Sequence, residues 1–195
     1  ADGRVMELMR FRDGAPMYYV TQNLNAARTV GVVKLWPGGA LGLNLTGSGL
    51  TLGIWDEAKV RGTHRELTGR VTQRDSVSTT SDHSTHVAGT MIAAGMDANA
   101  VGMSYEARLD AYDWNFDTSE MASAAASGLR VSNHSYGYTH GWIYAGVWYW
   151  FGDVTISTTE DYLFGFYDST AEDYDQIAYN APNYLIVKAA GNDRG

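Results

Sequence analysis

Apolar and polar positions along the chain fall into short runs of differing period, and the periods predict the elements. Leu50-Thr51-Leu52-Gly53-Ile54-Trp55-Asp56 alternates as a strand does and ends on a carboxylate, which puts Asp56 at a strand's C-terminal end. Thr85 to Ala94 is rich in small and apolar residues and reads as a buried helix, and Leu109 to Trp114 follows as a short apolar strand. Asp117 and Glu120 have the spacing of a capping box, an alanine-rich run follows, and Gly128 stands where a helix C-cap belongs. Leu129 to Ser135 is a further strand, Ala171 to Asn180 a helix closed by Pro182, and Tyr184 to Ala190 a continuous apolar strand ending at Gly191-Asn192. Ala1 to about Asn44 mixes its signals, with Gly14, Pro16 and Pro37-Gly38-Gly39 as breakers, and reads as an N-terminal arm.

Strands alternating with helices indicate the α/β class, with a mainly parallel sheet flanked by helices. Ligands of such sheets bind beyond the C-terminal ends of the strands, where Asp56, Ser135 and Asn192 fall. With 195 residues, 45% of them hydrophobic and 18% charged, the expectation is one globular domain. No apolar run approaches the roughly 18 residues of a membrane span, so no membrane partner is expected. A net charge of -8 without a cluster of Lys and Arg argues against a nucleic-acid partner. The absence of cysteine removes disulfides, thiolate metal sites and cysteine nucleophiles together. Residues 1–12 carry no signal-peptide apolar region.

Three motifs carry candidate chemistry. His83-Ser84-Thr85-His86-Val87-Ala88-Gly89-Thr90 resembles the subtilase motif H-G-T-H-V-A-G-T at every position except Ser84. The resemblance assigns the general base to His83 and a structural place on the helix to His86. A zinc reading of His83 and His86 lacks the glutamate and the spacing of H-E-x-x-H. Gly53-Ile54-Trp55-Asp56 resembles the subtilase strand that ends on the triad aspartate, and Thr63-His64-Arg65-Glu66-Leu67 is similar to the S-H-P-D-L segment that follows it. The family's D-S-G or D-T-G is here Asp56-Glu57-Ala58. Lys188-Ala189-Ala190-Gly191-Asn192-Asp193 is similar to A-A-G-N-E or A-A-G-N-D, whose asparagine donates to the oxyanion, a role that falls on Asn192. Ser132-Asn133-His134-Ser135-Tyr136-Gly137 resembles I-N-M-S-L-G, which makes Ser135, Tyr136 and Gly137, together with Ala190 and Gly191, substrate-binding candidates through strand addition.

The resemblance, running from about Asn44 to Gly195, implies a three-layer subtilisin-like fold over 45–195, incomplete in this chain, with 1–44 an arm or the remnant of a pro-segment. It implies a secreted serine endopeptidase acting on polypeptide through an Asp-His-Ser triad. No Gly-Thr-Ser occurs in the sequence, so the nucleophile is expected on a downstream segment or a second chain. The chemistry needs no cofactor; structural calcium is compatible with the resemblance, since Glu66 stands where some members have a ligand and 95–101 where they have a calcium loop. Two rival readings are a subtilase-like scaffold that has lost catalysis and an α/β hydrolase. The second requires a G-x-S-x-G elbow, and none is present. The aromatic stretch within 138–183 reads either as a lid or extended subsite or as a packed surface insertion.

Overall fold

The computed structural model describes residues 6–12, 15–20 and 23–191, and the chain divides into two units, 1–113 and 114–195. The first unit opens with an antiparallel pair, β1 (Met6–Arg12) and β2 (Ala15–Val20), followed by α1 (Asn23–Thr29) and a 3-10 turn, Val32–Lys34. Then come β3 (Thr51–Asp56), β4 (Val71–Gln73), α2 (Asp82–Ile92) and β5 (Arg108–Asp113). β5 lies between β3 and β4 and runs parallel to both, with Asp56 opposite Asp113 at the C-terminal end.

The last four residues of β3 are all buried, so the strand hides both faces instead of alternating, as parallel strands do. Ile54, Leu109 and Ala111 meet Ala88 and Ile92 of α2 together with Val60 and Leu67. On the other side of the pleat Trp55 stacks on its register partner Tyr112, ring centroids 4.2 Å apart.

Helix α2 starts at Asp82, three residues before the apolar pattern does. Ser81 is the reason: it is the N-cap, its side chain accepting the Ser84 N–H at 3.1 Å, and Asp82 sits in the first turn near the positive end of the helix dipole. The polar run Asp82-His83-Ser84 therefore belongs inside the helix. Ser84, Ala88 and Ile92, spaced by four, form its buried stripe.

The segment after α2 is organised by one carboxylate. Buried Glu66 accepts the N–H groups of Gly95 and Met96 on Oε2, at 2.8 and 3.1 Å, and that of Asp97 on Oε1, at 3.0 Å. Gly102 closes the segment by donating to Ala93 O, where a Cβ would lie 2.3 Å from the Ala93 nitrogen.

The second unit holds α3 (Asp117–Ala126), β6 (Val131–His134), β7 (Trp142–Tyr144), β8 (Trp148–Trp150), α4 (Ser169–Asn180) and β9 (Leu185–Lys188). β6 and β9 are parallel, α3 and α4 lie against each other, and β7 and β8 form an antiparallel hairpin. α3 ends in a Schellman turn: Gly128 adopts φ 99°, its N–H reaches Ala125 O, and the Leu129 N–H reaches Ala124 O. Its start differs from the expected capping box. The N-cap position is Phe116, in the left-handed region, and Asp117 is the first helical residue, with one carboxylate oxygen on the Thr118 N–H and the other turned to two tyrosines. The hairpin pairs Trp142 with Trp150 and Tyr144 with Trp148 across its strands, and most of these rings are exposed. Among the described residues no helix is long and apolar enough to cross a membrane.

Glu66→Gln keeps the shape of the carboxylate but replaces one acceptor oxygen by a donor facing backbone N–H groups. It is expected to cost about 1–3 kcal/mol in denaturant unfolding and to speed amide hydrogen exchange at 95–97.

Candidate active site

Because β3 ends at Asp56 and α2 begins just before His83, the two side chains meet where the strand gives way to loop. His83 Nδ1 lies 2.6 Å from Asp56 Oδ1; the aspartate is buried and the imidazole half exposed, its side chain 51% accessible. A carboxylate only accepts, so Nδ1 carries the hydrogen and Nε2 is left with its lone pair, the tautomer a general base requires. Asp56 Oδ1 also accepts the Glu57 N–H at 2.8 Å and the Ser84 hydroxyl at 3.0 Å. Asp56 Oδ2 is buried and accepts no hydrogen bond among the described residues.

The loop after Asp56 is tied to the start of α2 at several points. Glu57 accepts the Ser81 hydroxyl, Ser84 Oγ accepts the Ala58 N–H at 3.3 Å, and Thr85 Oγ1 accepts the Arg61 N–H at 3.0 Å. The Lys59 N–H donates to Thr79 O and Lys59 O accepts the Ser81 N–H, each at 3.0 Å, a parallel bridge between Lys59 and Thr80. Asp56 and His83, on separate elements, are thereby held to one geometry. His86, three residues on, is exposed and lines a groove with Arg61, His64, Glu66 and Asp82.

In the second unit the segment Ser135-Tyr136-Gly137 leaves the end of β6. Ser135 Oγ accepts from the Asn133 side chain at 2.9 Å. Tyr136 and Gly137 line a cavity of about 540 Å³ with Trp114, Tyr138, Tyr174 and Lys188. Ala190 and Gly191, exposed, follow β9, whose pairing continues as the Ala189 N–H donates to His134 O at 2.9 Å. Asn192 lies outside the described residues.

Beneath the cavity runs a buried polar chain that the sequence reading missed. Tyr136 donates to Asp117 Oδ2 at 2.6 Å, so its oxygen is the acceptor for His134 Nδ1–H at 2.9 Å. That fixes His134 Nε2 as the acceptor of the Ser132 hydroxyl at 2.7 Å, and Ser132 in turn takes the Tyr184 hydroxyl hydrogen at 2.5 Å. Tyr174 donates to Asp117 Oδ2 at 3.1 Å and receives Lys188 Nζ at 3.0 Å, the ammonium lying 3.7 Å from the Tyr136 ring centroid. Burial, then the nearby Lys188 charge, pushes the His134 imidazole down to about 4, with Asp117 opposing. Burial, then the bond to Asp117, pushes the Tyr136 phenol well above its ordinary value, which keeps it a donor. Burial lowers the Lys188 ammonium against the pull of Asp117. The alternation of β6, with Ser132 and His134 inward, was the one available signal for this chain of bonds.

The Subtilase family model matches residues 22–195. The chain belongs to the subtilase family. Two solved structures resemble it in fold. MycP1 with its N-terminal propeptide removed is 20% identical with a TM-score of 0.54, over 89% of this chain and 50% of that one. MycP3 protease from the type VII (ESX-3) secretion system is 20% identical with a TM-score of 0.52, over 87% of this chain and 46% of that one. The chain thus spans about half the length of each. No curated protein matches it.

The segment at 95–101, where the family resemblance allows calcium, is held by hydrogen bonds. Three N–H donors converge there on Glu66, and the Asp97 carboxylate accepts the Asn99 N–H. Among the described residues no group of three or more His, Asp or Glu is placed to hold a metal ion.

The depressed His134 sets a pH dependence. The unfolded chain binds this proton near pH 6.5 and the folded chain only near 4, so stability contributed by the neutral ring is present above about 6.5 and is lost as pH falls towards 4. The loss amounts to about 3 kcal/mol over that window. Urea unfolding at a series of pH values should show that slope, flattened in His134→Gln.

Proposed function

We propose that this chain is the aspartate- and histidine-bearing part of a serine endopeptidase, with the nucleophile on a downstream segment or a second chain. The observation that carries the reading is the 2.6 Å bond from His83 Nδ1 to Asp56 Oδ1, made by residues of two subtilase motifs. In this reading His83 takes the serine proton on Nε2 and returns it to the leaving amine, while Asp56 holds the ring and stabilises the imidazolium that forms. Asn192 donates its side-chain N–H to the oxyanion of the tetrahedral intermediate. The polypeptide substrate adds as a strand along Ser135, Tyr136 and Gly137, with Ala190 and Gly191 as further wall, and one substrate side chain enters the cavity beside Tyr136. The half exposure of His83 supports it, because a base must be reachable by the group it deprotonates. An extracytoplasmic place of work belongs to the same proposal; its support is the likeness in fold to a protease of a secretion system.

In the full-length protein His83→Ala should lower kcat by roughly 10⁴-fold or more with KM little changed, since a base acts on the transition state and hardly on binding. Asp56→Asn should lower it by about 10⁴, through the wrong imidazole tautomer. Peptide hydrolysis assays on folded variants check both. A wild-type protein that binds peptide and never cleaves it would instead favour the scaffold reading.

A further inference from the structure

Two departures from the family motifs, Glu57-Ala58 after the aspartate and Ser84 after the histidine, meet in space. Ser84 is fully buried on the inner stripe of α2, where its neighbours at i+4 and i+8 are Ala88 and Ile92. A hydroxyl there stabilises only if both its donor and its acceptor are used. Both are: Ser84 Oγ accepts the Ala58 N–H at 3.3 Å and donates to Asp56 Oδ1 at 3.0 Å.

We infer that Ser84 is a positioning residue for the Asp56–His83 pair, acting on the imidazole through the carboxylate; this rests on the peptidase reading. A carboxylate held at one oxygen by His83 alone rotates about its Cβ–Cγ bond and exchanges that oxygen for the other. Oδ2 offers nothing to oppose the rotation, because it has no hydrogen-bond partner among the described residues. The restraint comes from the Oδ1 side, where the Glu57 N–H and the Ser84 hydroxyl converge on the atom that receives His83 Nδ1–H. The Glu57 N–H is fixed by the chain; the Ser84 hydroxyl is the side-chain donor the sequence has added. By taking the Ala58 N–H as well, the same oxygen ties the loop after Asp56 to the helix that carries His83, so strand end and helix start keep register.

The test uses the full-length protein with Ser84→Ala and Ser84→Gly. Alanine keeps the Cβ packing and glycine does not, yet both lose the hydroxyl. A role through the hydrogen bond makes the two alike, whereas a packing role separates them. Both should lower kcat by about tenfold with KM within about twofold. The low-field proton resonance of His83 Nδ1–H should be displaced or broadened in both. Unchanged kcat with an unmoved resonance, or a change confined to thermal stability, overturns the inference. Because the resonance needs no turnover, a wild-type protein that never cleaves peptide sinks the peptidase reading, and the resonance still decides whether Ser84 holds the pair.

Discussion

The structure depends most on one charge-assisted hydrogen bond between a strand and a helix, from His83 Nδ1 to Asp56 Oδ1 at 2.6 Å. A carboxylate as buried as Asp56 is costly unless several donors meet it, and three do so on one oxygen. Those donors come from the loop after β3 and from the first turn of α2, so the site exists only while these two pieces stay together. Ser81 serves both ends: it caps α2 and reaches back to Glu57. The inward stripe of α2 then anchors the helix in the apolar core through Ala88 and Ile92. Packing, capping and the geometry of the Asp56–His83 bond are in this way carried by the same eleven-residue helix.

The second unit solves a related problem differently. Inward residues of β6 are polar, and burial of Ser132 and His134 is tolerated because each hydrogen is handed on to a named acceptor as far as Asp117. The direction of donation follows from Tyr136, whose hydrogen goes to a carboxylate, and that alone sets the tautomer of His134. A protonated His134 has two donors and would oppose the Ser132 hydroxyl on Nε2, so acid is expected to weaken this part of the fold. The cavity wall at Tyr136 is therefore held by the same bonds on which the expected pH dependence rests.

Much of this was legible in the sequence where one physical signal dominated. The apolar run 50–56 fixed both the strand and the carboxylate at its end, and 129–135 and 184–190 read as strands within a few residues of β6 and β9. The Gly128 turn was readable because only a residue tolerant of positive φ ends a helix that way. The start of α2 was misread by three residues because capping by Ser81 is a side-chain event with no apolar period. β4, β7 and β8 are three residues each, too short to show a period of two. The Asp117 chain escaped because its members are spread from 117 to 188, and tertiary bonds, not spacing, bring them together; the same aspartate had looked like a helix cap. Ser84 looked like a departure from the histidine motif, and only its burial against Asp56 gives it a reason.

In the proposed function the base and its carboxylate lie in this chain and the nucleophile outside 1–195. Reaction of the full-length protein with a fluorophosphonate, followed by peptide mapping of the adduct, measures that division directly. One adduct is expected, on a serine outside 1–195, whether downstream or on a second chain, and it is lost when His83 is replaced by alanine. An adduct on Ser135, Ser84 or any other serine of 1–195, or labelling that is indifferent to His83, would contradict it.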